Sequence, residues 1–317
     1  MYIAKDIFYE PNPASDPANQ RNLMQAIDSD RRLTLKQLLA SACLPMLSTR
    51  AISADRPAIK IGTTPVFLDQ QLALLDDWRR HLESVLQARV SFVQRSNYRE
   101  ILELLLSRQL DCAWLCGYPY VRFRTSLQLV AVPVFSGAPL YESYLIASND
   151  DKSTRSITDL AGKIFAFSDP LSNSGYLFPR HQLWLKNKSP DQFFARTFFT
   201  SSHRKVVEAV AVGLADGGSV DGYVWESLAK VAPALTAKTR VVNKSPKFGF
   251  PPLLAHRDYP QERVALIRDG VERMRSTEDG RRILSRLNLD GFVAGDEKLY
   301  DAITKMMTDL QRVNLLA

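Results

Sequence analysis

"SDPLSNSGYLFPRHQL", Ser168 to Leu183, places small and hydroxylated residues and a glycine directly after a proline, ahead of a run that reads as a helix. The first turn of a helix leaves backbone N–H groups without intrahelical partners and carries the positive end of the macrodipole. A tetrahedral oxyanion fits such a place. Ser172 and Ser174 add hydroxyl donors, Asn173 an amide donor, and Gly175 allows close approach to the backbone. Pro179 falls early in the helix, where its missing N–H does least harm. The same residues also suit a plain N-cap, so taken alone they leave both readings open.

Outward from this stretch, strand-like and helix-like segments alternate, as in an α/β fold. Before it come the strand "AIKIGTTPVF", a helix with Leu72, Leu75, Leu82, Val85 and Leu86 on one face, the strand "VSFVQRS", the helix "NYREILELLLSRQL" and the strand "DCAWLC". "LVAVPVF" and "YESYLIAS" follow as strands. After "DKSTRSITDLAG" a second set opens with the strand "KIFAF", the quoted helix and "DQFFARTFF", then the helix "HRKVVEAVAVGLADG" and "VDGYVWES" as a strand. The late stretches "PQERVALIRDGVERMRSTEDGRRILSRL" and "DEKLYDAITKMMTDLQRV" read as long amphipathic helices. Two α/β lobes joined by two crossover strands explain this order, with a ligand cleft between them.

The chain has 317 residues, 45% of them hydrophobic and 24% charged, enough for two medium domains with real cores. Lys and Arg exceed Asp and Glu by 41 to 34, but the excess is scattered and no nucleic-acid motif accompanies it. Such a balance favours small anions and makes no case for nucleic acid. No run of apolar residues is long enough for a multi-spanning membrane protein. In "SDRRLTLKQLLASACLPMLSTRAISADRP", Arg31, Arg32 and Lys36 supply a basic region, Leu38 to Leu47 an apolar region and Ala51 to Ala54 a small-residue cleavage region. This order resembles a twin-arginine export signal, so residues 1–54 are expected to be an extension and signal. An ordinary first helix near Ser29, and lipidation at Cys43, are the alternatives. The remaining cysteines, Cys112 and Cys116, stand about 13 Å apart along a strand, too far for a disulfide. Buried thiols are expected, and no metal site, since neither pairs with a histidine at ligand spacing.

From about Ala58 to Tyr300 the chain resembles the phosphate, phosphite and phosphonate-binding proteins of ABC importers, a family similar in fold to type II periplasmic binding proteins. The resemblance rests on "LELLLSRQLDCAWLCGYPYV", "GAPLYESYLIAS", "ITDLAGKIFAFSDPLSNSGYLFPR", "SSHRKVVEAVAVGLADGGSVDGYVW" and "EDGRRILSRL". It is densest at Ser172, Asn173, Ser174 and Gly175, where the family usually has Ser-Thr-Ser-Gly. It implies that Tyr98 and Tyr141 offer phenols to ligand oxygens and that His203 contacts the anion from a second helix start. It also implies that Tyr118 and Tyr120 narrow the pocket, and that Glu226 is one of the carboxylates that face an amine in aminoalkylphosphonate-binding members. Thr64, like Thr63, is a further candidate donor after the first strand. The second acid should fall in "SPKFGFPPLLAHR", which offers Phe250, Pro251 and Pro252 instead, so the amine end of such a site is in doubt while the oxyanion end is retained.

The resemblance thus implies a two-lobed type II periplasmic binding protein, each lobe a mixed sheet flanked by helices. Residues 55–144 with 253–317 are expected to form one lobe and 145–252 the other. The expected function is a periplasmic receptor, acting as a monomer without cofactor, that captures a small oxyanion and delivers it to the membrane permease of an ABC importer. A sensory anion receptor for a signalling partner is the alternative. A hydrolase on this fold is the lesser alternative and an enzyme is not expected, because G-x-S-x-G, HExxH, P-loop and Rossmann motifs are missing from the sequence.

Overall fold

In "IKIGT", Lys60 is exposed while Ile59, Ile61, Gly62 and Thr63 are buried, the pattern of a strand that enters a sheet covered on both faces. The computed structural model of the protein describes residues 58–64 and 72–312; the export segment with Arg31, Arg32 and Cys43 lies outside them. In chain order the strands are β1 (Ile59–Thr63), β2 (Val90–Gln94), β3 (Cys112–Trp114), β4 (Leu127–Val134), β5 (Leu140–Tyr141), β6 (Ser143–Ser148) and β7 (Ile164–Phe167). They continue with β8 (Arg196–Phe199), β9 (Gly217–Asp221), β10 (Thr239–Lys244), β11 (Phe248–Gly249), β12 (Leu253–His256) and β13 (Gly291–Val293).

Two mixed sheets result, one in the order β13-β4-β12-β3-β1-β2 and the other in the order β10-β6-β9-β7-β8. β1 runs parallel to β2 and β3, whereas β12 enters antiparallel between β3 and β4. In the second sheet β7 runs parallel to β8 and β9, and β6 is antiparallel to β9 and β10. The chain crosses between the sheets twice, and the crossing segments β5 and β11 pair with each other, Tyr141 opposite Phe248 and Leu140 opposite Gly249. This ribbon supplies the two crossover strands that the order of elements predicts.

Each sheet has its own aromatic packing. Trp78 lies against Phe92, Trp114 and Phe292 at ring distances of 5.0, 6.2 and 6.3 Å in the first lobe. Phe165 stacks on Phe194 at 4.5 Å in the second and meets Phe167 edge-on. Full burial of such a side chain contributes about 1.5–3 kcal/mol. Cys112 and Cys116 are buried and unbridged, as their spacing predicts. No helix among the described residues is long and apolar enough to cross a membrane.

Three local expectations are corrected. "VDGYVWES" is not a strand: β9 ends at Asp221, whose carboxylate caps a helix from Gly222 to Val231 by accepting from the N–H groups of Tyr223 and Val224. "DQFFARTFF" divides into a helical turn, Pro190–Phe193, and β8. The late long helix breaks at Thr277, whose hydroxyl accepts from Gly280 N–H and starts a new helix, Glu278–Leu287, after the first one, Gln261–Glu272.

Candidate functional site

The quoted stretch leaves β7 and forms a wide π-helical turn, Asn173–Leu177, before the α-helix Phe178–Trp184. Proline explains the widening. Pro179 has no N–H to donate back to the carbonyl of Gly175, which accepts instead from Ser168 N–H at 3.3 Å. Leu177 N–H reaches the carbonyl of Ser172, five residues back, at 3.0 Å. The carbonyl of Ser174 is thereby released, and the hydroxyls of Ser143 on β6 and Ser219 on β9 each donate to it at 2.7 Å. Short π segments of this kind recur at functional sites.

Ser172, Asn173 and Ser174 are completely buried. The backbone N–H groups of the turn are not all available to a ligand, contrary to the simple helix-start picture. Gly175 N–H donates to Ser172 Oγ at 2.9 Å, and Asn173 N–H donates to Cys116 Sγ at 3.2 Å. The donors left over are side chains. Ser174 Oγ and Ser168 Oγ are buried without a hydrogen-bond partner, as is the acceptor Asn173 Oδ1; Thr63 Oγ1, on β1, is likewise buried without one. Ser174 Oγ lies beside the Tyr141 phenol but outside hydrogen-bond geometry. Gly175 is required by close approach, because a Cβ there would come within 1.9 Å of Ser168 Oγ and 3.1 Å of His203 Cε1.

His203 opens the helix His203–Ala211 and is buried. Its Nδ1 accepts from Asp221 N–H at 3.1 Å, so the neutral ring carries its proton on Nε2, which lies 3.5 Å from Ser172 Oγ. Burial pushes the imidazole down to about 3 and keeps it neutral. Tyr141 comes from the β5 crossover and accepts from Asn173 Nδ2 at 2.9 Å, which leaves its own proton for another acceptor. Tyr98 starts the helix Tyr98–Leu106 of the first lobe; its phenol lies next to the Thr64 hydroxyl, and its backbone N–H donates to Asp169 of the second lobe at 3.3 Å. Thr64 also donates to the Trp114 carbonyl at 3.3 Å. Burial raises the Tyr98 and Tyr141 phenols well above their ordinary range, so both keep their protons.

Thr64, Tyr98 and Cys116 of one lobe therefore meet Asn173, His203 and the residues around them of the other in one contiguous buried cluster. Tyr118 is buried at its edge. Glu226 is not brought into it. The helix that begins at Gly222 turns this side chain outward, where it accepts from the Tyr144 hydroxyl at 2.6 Å and faces Lys244 at 3.9 Å. The acid at the cluster is Asp221, five residues earlier and buried, which burial pushes up to about 7. Asp169 is a second one, its carboxylate held by Leu171 N–H at 2.8 Å and by Tyr98 N–H. Asp221 escapes sequence reasoning because an acid at a helix start reads as an ordinary cap, and Asp169 because an acid before Pro170 reads as a turn residue. No group of metal-ligating side chains is present among the described residues.

Comparison with known proteins identifies the family. The profile described as "ABC transporter, phosphonate, periplasmic substrate-binding protein" matches residues 61–300. The Phosphate-import protein PhnD of Mycolicibacterium smegmatis is 29% identical over 202 residues, which span 56% of this chain and only 63% of that relative. A binding protein component of an ABC phosphonate transporter from Pseudomonas aeruginosa is 26% identical, with a TM-score of 0.75 over 82% of this chain and 88% of its own. PhnD1 from Prochlorococcus marinus, solved in complex with methylphosphonate, is 20% identical and shares the fold, with a TM-score of 0.69 over 81% of this chain and 98% of its own. The architecture is that of the type II periplasmic binding proteins. By sequence and by its two-lobed fold, the chain belongs to the periplasmic substrate-binding proteins of phosphonate ABC transporters.

Proposed function

We propose that the protein captures a phosphorus oxyanion, namely phosphate, phosphite or a short phosphonate, between its lobes and hands it to the membrane permease of an ABC importer. The lobes divide at the β5–β11 ribbon, the receptor works as a monomer, and export uses the twin-arginine segment at Arg31 and Arg32. The observation that carries this reading is the pair of buried hydroxyls without partners, Ser168 and Ser174, at a turn that also meets His203 Nε2–H. A buried polar group without a partner costs about 1–3 kcal/mol, and packing gives no reason to bring two together. Oxyanion oxygens satisfy them together. The donors are neutral, so they hold the anion through directed hydrogen bonds in a water-poor site.

The same geometry argues against hydrolysis. His203 Nδ1 is occupied as an acceptor and Nε2 carries the proton, so the ring has no free lone pair with which to take a proton from Ser172. The test is calorimetry on ligand-stripped protein with phosphate, phosphite, methylphosphonate, ethylphosphonate, 2-aminoethylphosphonate and sulfate. Ethylphosphonate is expected to bind better than its aminated analogue, because buried Phe250 with Pro251 and Pro252 stands where a second acid is needed and a buried ammonium requires carboxylate partners. Preference for the amine would make Asp221 its partner and sink the specificity assignment. Failure of every phosphorus oxyanion to bind would sink the receptor reading.

A further inference from the structure

Asn173 is fully buried in the π turn, and all but one of its polar groups have partners. Its N–H donates to Cys116 Sγ at 3.2 Å, its carbonyl accepts from Phe178 N–H, and its Nδ2 donates to the Tyr141 oxygen at 2.9 Å. The remaining group, Oδ1, is a buried acceptor with no partner. It sits in the same turn as the unpartnered Ser174 hydroxyl, and both side chains flank the Tyr141 phenol. An amide oxygen repels a fully deprotonated oxyanion and accepts a hydrogen bond from one that carries a proton. Where the family usually has threonine, whose hydroxyl can turn to donate, this chain has an amide whose donor end is already used.

Charge at the cluster points the same way. Asp221 lies near the Tyr98 and Tyr141 phenols, and Asp169 near Tyr98. His203 is neutral, and among the described residues no lysine or arginine is hydrogen-bonded to Asn173, Ser174, His203 or Tyr141. A second negative charge on the ligand, buried beside two acids and without a cation, is costly. Resting on the reading of the turn as an oxyanion cradle, we propose that Asn173 Oδ1 selects an oxyanion that still carries a proton, by accepting from its P–O–H. The ligand class is then the hydrogenphosphonate monoanion and its phosphorus relatives with a P–O–H, whose charged oxygens are left to Ser174 Oγ and His203 Nε2–H. Sulfonates and sulfate, which carry no such proton at neutral pH, are rejected.

Methylphosphonate and methanesulfonate test this, because at mildly acid pH they share charge and shape and differ at their oxygens by one proton. Calorimetry on the stripped protein is expected to favour methylphosphonate by at least about tenfold in Kd, the effect of one hydrogen bond to a charged group. Asn173→Thr is expected to bring the ratio within about threefold, since a hydroxyl donates to a sulfonate as readily as it accepts from P–O–H. Phosphorus NMR needs no variant: at mildly alkaline pH, bound methylphosphonate should keep the shift of its hydrogen monoanion after the free ligand has lost its proton. A smaller ratio in the unmodified protein, a ratio that Asn173→Thr leaves unchanged, or a bound resonance at the dianion position overturns the selection but leaves the cradle standing if methylphosphonate binds. If methylphosphonate does not bind at all, both readings fall.

Discussion

Ser174→Ala separates a ligand-holding hydroxyl from a structural one. Ser174 Oγ is buried and has no partner, whereas the Ser174 carbonyl is the group that anchors the π turn through Ser143 and Ser219. Alanine keeps that carbonyl and removes only the hydroxyl. With no ligand bound, the substitution deletes a desolvated polar group that costs about 1–3 kcal/mol. Thermal stability should therefore stay level or rise, by about 2–4 °C per kcal/mol for a domain of this size. With ligand, one hydrogen bond to a charged oxygen is lost, about 1.5–3 kcal/mol, or roughly tenfold to a hundredfold in Kd.

Ser172→Ala is the control, because Ser172 Oγ accepts from Gly175 N–H at 2.9 Å. Losing that cap costs about 1 kcal/mol of fold stability, so this variant should lose both stability and affinity. Calorimetry with methylphosphonate and scanning calorimetry of the stripped protein give both quantities. If Ser174→Ala lowers stability as Ser172→Ala does and leaves affinity unchanged, the hydroxyl is structural and the cradle has been misplaced.

Gly175→Ala should abolish oxyanion binding and destabilise the fold by about 1–3 kcal/mol, since its Cβ would meet Ser168 Oγ at 1.9 Å and Ser168 Cβ at 2.7 Å; a variant that binds normally refutes the close approach. Burial raises Asp221 to about 7 from an ordinary 3.8, so between those pH values the folded state holds more protons than the unfolded one and stability falls as pH rises, levelling off above about 7. Asp221→Asn keeps a helix cap without the charge, and is expected to be more stable than the parent at pH 8 by an amount that vanishes near pH 4; parallel unfolding midpoints across that range would contradict the buried carboxyl. Changing both Arg31 and Arg32 to Lys should leave unprocessed protein in the cytoplasm, and normal periplasmic recovery would remove the twin-arginine route.

Legibility in the sequence followed the range of the forces. The alternation of segments, the buried thiols and the candidate turn at Ser172–Gly175 are local properties, and all can be read from neighbouring residues. The π form of that turn cannot, because it depends on hydroxyls of Ser143 and Ser219 brought in by other strands to take the Ser174 carbonyl. Glu226 shows a different failure. With "VDGYVWES" read as a strand, the point where extended chain becomes helix is lost. Once the helix starts at Gly222, residue 226 turns to Tyr144 and Lys244, and the acid that remains at the cluster is the capping Asp221.

The bonds that join the lobes at the cluster are weak ones. Asn173 N–H donates to a thiol sulfur at 3.2 Å, and Tyr98 N–H reaches Asp169 at a long 3.3 Å. Sulfur is a poor acceptor, and burial pushes the Cys116 thiol up to about 11, so no thiolate strengthens the contact. The two hydrogen bonds between the lobes at the cradle thus contribute little, while the unpartnered hydroxyls of Ser174 and Ser168 are attached to the second lobe. An anion that takes bonds from both sides adds its binding energy to the closed arrangement alone, and a ligand shifts such an equilibrium by as much as its affinities for the two states differ. Weak bonds between the lobes at the cluster, beside buried hydroxyls that lack partners, make a contact that an anion bonded to both lobes would strengthen.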